Sequence, residues 1–113
     1  MSDKNMTITI DDIINKQKET YPNCDEKLIR KAHKYATDNH GDQCRKSGEP
    51  YMIHPMHVAF ILAELGLDDE SLCAALLHDV VEDTPKTHED LIKDFGITIA
   101  EMVAGVTKLG TLR

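Results

Sequence analysis

Six consecutive residues, Leu72-Cys73-Ala74-Ala75-Leu76-Leu77, are apolar on nearly every side of a helix. Such a helix belongs in the interior, with neighbours covering it all round. The rest of the chain is therefore organised around it. The residues that follow are His78-Asp79-Val80-Val81-Glu82-Asp83-Thr84. If the helix continues, His78 and Glu82 share one face, and Asp79 and Asp83 share the adjoining one. One imidazole and three carboxylates then arrive at the end of a core helix, where unpaired charge is costly. No Lys or Arg lies within the motif, so a bare salt-bridge network does not satisfy it. A divalent cation with its water does.

The flanking segments read as further helices. Residues 1–22 form a polar tail and a short helix, and residues 23–113 form the main domain. In the first helix Thr9 caps with Asp12 three residues on. Ile10, Ile13, Ile14 and Gln17 make its stripe to about Thr20, before Pro22 breaks it. A second helix runs from about Asp25 to Asn39 on Leu28, Ile29, Ala32, Tyr35 and Ala36, and Gly41 stops it. His33 and His40 lie on or just past its polar face, where histidines are usually solvated.

Residues 41–53 contain Gly48 and Pro50 and read as a loop. Its Arg45-Lys46 pair has two readings. It is a solvated loop tip, or it is a guanidinium and an ammonium placed for a nucleotide. Spacing does not choose between them.

His54-Pro55 opens the third helix, because proline suits the first helical position. Val58, Ala59, Ile61, Leu62 and Leu65 form its expected buried stripe, and Gly66 ends it. His54 stands at the helix entrance beside the loop, and His57 reads as surface. The fourth helix runs from an Asp68 or Asp69 cap to about Glu82, ahead of Pro85. Thr87 with Asp90, and Thr98 with Glu101, predict two more capped helices on either side of Gly96. No stretch alternates as a strand does, so the fold class is all-α, with helices joined by short turns.

Composition narrows the function. A net charge of −7 argues against a general nucleic-acid binder. No apolar run approaches the ~20 residues of a membrane span, and Met1-Ser2-Asp3-Lys4 does not open a signal peptide. Cys24, Cys44 and Cys73 are odd in number and lack C-x-x-C spacing. That argues for a reducing cytoplasm over a disulfide framework.

If the third and fourth helices pack antiparallel, His54 comes close to His78 and Asp79. Two imidazoles and a carboxylate suit Mn²⁺, Fe²⁺ or Zn²⁺ with open water positions. Glu82 or Asp83 would then handle protons for a water attacking phosphorus. The plainer alternative is that His78-Asp79 is a chance dipeptide.

Four blocks, in order, resemble the N-terminal HD domain of the RelA/SpoT family. They are Arg45-Lys46-Ser47-Gly48-Glu49-Pro50-Tyr51, Ile53-His54-Pro55, His78 to Thr84, and Gly105-Val106-Thr107-Lys108-Leu109. That family comprises bifunctional guanosine tetra/pentaphosphate synthetase/hydrolases, or GTP pyrophosphokinases. The resemblance implies a helical HD bundle and a Mn²⁺-dependent 3′-pyrophosphohydrolase that releases GDP or GTP and pyrophosphate in stringent-response control. It implies His54, His78 and Asp79 as metal ligands and Glu82 and Asp83 as the catalytic pair. Arg45 would stack on guanine, with Lys46 and Ser47 beside it.

The family's fourth ligand, an Asp, and a nucleotide-contacting Asn would lie beyond Arg113. The bundle is thus expected to be truncated at its C-terminal side, with weakened metal binding and little activity. A homodimer through the surface so exposed is a further expectation. A small guanosine polyphosphate is the expected partner, with no nucleic acid and no membrane. Two alternatives remain open: another HD-superfamily nucleotide phosphohydrolase, and a non-catalytic regulatory HD module.

Overall fold

The computed structural model describes residues 8–41, 48 and 50–111, with side chains as far as residue 105. Within them the chain is all-α. Its helices are α1 (Ile10–Thr20), α2 (Glu26–His40), α3 (Ile53–Glu64), α4 (Asp69–Leu77), α5 (Val80–Asp83), α6 (His88–Phe95) and α7 (Ile97–Thr111).

The all-round apolar helix α4 is central, packed against α2, α3 and α7. Every residue from Leu72 to Leu77 is buried. Its neighbours turn small residues toward the core: Ala32 and Ala36 from α2, Ala59 and Ala63 from α3, and Ala100 from α7. Alanine lets helix axes approach closely, which suits a bundle whose middle member carries bulky leucines.

The caps expected at Thr9, Asp68 and Thr87 form, and Asp25 adds one not anticipated from the sequence. Thr9 Oγ1 accepts from the Asp12 N–H at 3.1 Å, while the Thr9 N–H donates to Asp12 Oδ2 at 3.0 Å. Asp25 Oδ1 accepts the Leu28 N–H at 3.1 Å, and Asp68 Oδ1 accepts the Ser71 N–H at 3.0 Å. Ile13, Ile14 and Gln17 are buried where α1 meets α2 and α3.

Helix α3 departs from expectation in two ways. It begins at Ile53, so Pro55 is its third residue. The first four N–H groups of a helix have no acceptor within it, so the missing proline donor costs nothing there. Its buried face is Pro55, Met56, Ala59 and Ala63, while Ile61 and Leu65 are 51% and 70% exposed. The helix is apolar on most sides, so periodicity has no polar face with which to orient it.

The last helix also starts earlier than its Thr98 signature suggests. Gly96, at φ 95 and ψ 162, ends α6 and leads straight into α7 at Ile97. That backbone region is open essentially to glycine alone. Thr98 falls inside the first turn. No helix among the described residues is long and apolar enough to cross a membrane.

Candidate functional site

The expected single helix from Asp68 to Glu82 is in fact two. Helix α4 stops at Leu77, and α5 starts at Val80. The His78 Nδ1–H donates to the Ala75 carbonyl at 2.7 Å, taking the acceptor that the Asp79 N–H would use in an unbroken helix. Asp79 sits at φ −100, ψ 1, the bridge region of backbone space. The break thus falls on the histidine–aspartate pair, where the Ala75 carbonyl accepts the His78 ring and, at 3.5 Å, the His78 backbone N–H. Sequence periodicity cannot register a side chain that competes for a backbone carbonyl.

With Nδ1 committed as a donor, His78 turns Nε2 toward Asp79 Oδ2 at 3.1 Å. A nitrogen facing a carboxylate oxygen needs a proton or a cation between them. The Asp79 hydrogen bond holds the His78 imidazole above its ordinary pKa against the opposing pull of burial, and the Ala75 carbonyl adds to it. Burial pushes the Asp79 carboxyl up, but hydrogen bonds and charge from His78, with help from Tyr51 and His40, leave it below its ordinary value.

His54 is exposed at the start of α3. Its ring centroid lies 5.9 Å from that of His78, edge to face at 66°. The antiparallel packing of α3 on α4 therefore brings the entrance of one to the exit of the other, as anticipated. The donor chemistry suits a divalent ion. Ligands about 2.1 Å from a metal and at right angles are about 3.0 Å apart, close to the spacing of Nε2 and Oδ2. Among the described residues, however, no three His, Cys, Asp or Glu side chains close on one point. His78 and Asp79 pair directly, with the His54 ring beside them.

Glu82 and Asp83 are both exposed on α5. Asp83 accepts a hydrogen bond from the Tyr51 hydroxyl. Burial, the Asp83 hydrogen bond and the charges of Asp79 and Asp83 push the Tyr51 phenol well above its ordinary pKa, so it stays a donor. The Tyr51 ring stacks on His40, with centroids 4.2 Å apart and planes 17° apart.

His40, expected to be solvated, is only 2% exposed. The last turn of α2 directs it inward, where Asp79 feels its charge. Sequence reasoning gave neither residue a role. The available signal was an imidazole at the loop's entrance and a phenol at its exit. Arg45, Lys46 and Ser47 lie outside the described residues. An apolar groove of about 730 Å³ is lined by Val58, Leu62, Leu67, Ala74 and Met102, with His78 in its wall.

The architecture so assembled is an all-helical domain with a histidine–aspartate pair at the broken end of its central helix. The chain belongs to the HD domain family, whose model matches residues 32–113. It is 45% identical over 106 residues to a guanosine-3′,5′-bis(diphosphate) 3′-pyrophosphohydrolase of Aquifex aeolicus, covering 94% of this chain and 15% of that protein. It is 52% identical over 101 residues to the bifunctional (p)ppGpp synthase/hydrolase SpoT of Escherichia coli, covering 88% of this chain and 14% of that protein. A GTP pyrophosphokinase of Myxococcus xanthus is 51% identical over 89 residues, which cover 79% and 12%. The chain therefore spans about one-seventh of the length of these curated relatives. The family indicated by the four sequence blocks is the one that the comparisons find.

Proposed function

We propose that this chain is the hydrolase module for the 3′-pyrophosphate of guanosine tetra- and pentaphosphate, working with a divalent cation, Mn²⁺ by preference, in the cytoplasm. The observation that carries the reading is the juxtaposition of the His54 ring, His78 Nε2 and Asp79 Oδ2 within 5.9 and 3.1 Å. Relatives named for this reaction, at 45% and 52% identity, support the substrate class.

Bound Mn²⁺ would supply Lewis-acid polarisation of a phosphoryl oxygen and a more acidic water. His54, His78 and Asp79 would hold the ion. The Ala75 carbonyl fixes the His78 ring with Nε2 outward, a supporting contact that ligating histidines commonly have. Glu82 or Asp83 takes a proton as water attacks the phosphorus on the ribose 3′-oxygen. The bond from that phosphorus to the 3′-oxygen breaks, the 3′-oxygen gains a proton, and pyrophosphate leaves with GDP or GTP as the second product. Arg45 stacks on the guanine, and Lys46 and Ser47 contact the nucleotide.

The test is chromatography of ppGpp incubated with the purified chain and Mn²⁺. Weak, metal-dependent release of GDP and pyrophosphate, lost in His78→Ala and Asp79→Asn, is the expected result, in keeping with the weakened metal binding expected above. Equal turnover of guanine and non-guanine nucleotides would favour a different HD phosphohydrolase. Mn²⁺ and ppGpp both failing to perturb the His54 and His78 ring resonances would overturn the proposal.

A further inference from the structure

Two rings connect parts of the molecule that the proposed reaction needs to coordinate. His40 is the last residue of α2, and Tyr51 lies just ahead of α3. Between them runs the 41–50 segment that carries Arg45, Lys46 and Ser47. The rings stack nearly parallel, with centroids 4.2 Å apart, so the exit of α2 is joined to the approach of α3. The Tyr51 hydroxyl then donates to Asp83, and the Asp79 carboxylate acts on the same phenol, helping to hold its pKa up.

The two carboxylates need such a contact. Asp79 and Asp83 are one helical turn apart, with the Asp83 N–H donating to the Asp79 carbonyl at 2.9 Å. Like charges at that spacing repel. Asp79 also sits in the break between α4 and α5, where no continuous helix fixes its direction. The phenol O–H donated to Asp83 draws on that carboxylate's charge, which offsets the repulsion and fixes Asp83 beside Asp79. A tyrosine braced face to face on a buried ring has little rotational freedom left, so the ordering cost is already met in the fold.

We propose that the His40–Tyr51 stack is a clamp joining the end of α2 to Asp83, one helical turn from Asp79, with Tyr51 a positioning residue for the cation site. It rests on the metal-dependent reading given above. The clamp acts on affinity for the cation before any substrate is present. It therefore has a readout independent of turnover.

The experiment is a Mn²⁺ titration of the 113-residue chain, followed by paramagnetic broadening of its histidine ring resonances. Tyr51→Phe keeps the stack and removes only the donor. It should raise the Mn²⁺ concentration for half-broadening of His54 and His78 roughly tenfold, the scale at which groups supporting metal ligands act. His40→Phe retains an aromatic face and should titrate like the unsubstituted chain, whereas His40→Ala should weaken binding as Tyr51→Phe does. Unchanged amide spectra for Tyr51→Phe establish that the fold is intact.

If Tyr51→Phe binds Mn²⁺ as the unsubstituted chain does while Asp79→Asn loses it, the clamp is wrong and the metal reading survives. If His40→Phe is as weak as His40→Ala, the stack is not the bracing element, and the proposal fails in that form. If Mn²⁺ leaves His54 and His78 sharp in the unsubstituted chain, both proposals fall together.

Discussion

Gln17 and Asp69, 52 residues apart in the chain, are joined by a 2.9 Å hydrogen bond from Gln17 Nε2 to Asp69 Oδ1. The same nitrogen donates to the Leu67 carbonyl at 2.9 Å, and the second Asp69 oxygen accepts the Asp25 N–H at 2.8 Å. One wholly buried amide thus connects α1 to the start of α4, and the carboxylate it meets also holds the approach to α2. Gln17→Met, which keeps the volume and loses both donors, should cost about 1.5–3 kcal/mol, the range for hydrogen bonds involving a charged group. Urea unfolding followed by circular dichroism measures it. A cost near zero would mean that the amide is only a spacer.

The central helix predicts a sharp contrast between two leucines. Leu76 is 0% exposed and Leu65 is 70% exposed. Leu76→Ala should destabilise the fold by about 2–5 kcal/mol through lost burial and the cavity left behind. Leu65→Ala should fall within about 0.5 kcal/mol of the unsubstituted chain. Comparable losses at both sites would contradict the placement of α3.

Acid should weaken the start of α4 in a defined direction. Hydrogen bonds from the Ser71 hydroxyl and backbone N–H hold the Asp68 carboxyl below its ordinary pKa. The folded state therefore binds this proton less readily than the unfolded chain does. The stabilisation is complete above the unfolded value of about 3.9 and is lost as pH falls through the depressed folded value. Asp68→Ala should cost about 1 kcal/mol at pH 7, as helix caps do, and the gap should close as the medium is acidified below that range. A gap unchanged by acid would rule out the charged cap.

His78→Ala tests the origin of the helix break. Without the ring, the Ala75 carbonyl is released to accept the Asp79 N–H, and α4 can run into α5. Hydrogen exchange at the Asp79 amide should slow. Unaltered or faster exchange would place the cause of the break elsewhere.

The parts of the fold legible from sequence are those governed by local rules. The Thr9, Asp68 and Thr87 caps, the buried run from Leu72 to Leu77 and the approach of His54 to His78 all follow from spacing and turn chemistry. What escaped depended on competition between groups. The break at His78 coincides with a ring that takes up a main-chain carbonyl. The face of α3 is chosen by its neighbours, since Ile61 and Leu65 look as apolar in sequence as Ala59 and Ala63. His40 is drawn inside by a partner 11 residues further along the chain at Tyr51, and no periodicity encodes that.

The joint at Gly96 has a consequence for how sequence change can proceed in this part of the chain. With one residue between α6 and α7, there is no slack to absorb an altered bend. The torsions at Gly96, φ 95 and ψ 162, lie where a chiral residue is strained, although the space beside its Cα is open. A replacement would meet no clash, yet it would swing α7 and draw Ile99, Ala100 and Val103 away from the core. The direction of a whole helix depends here on the one amino acid that has no handedness.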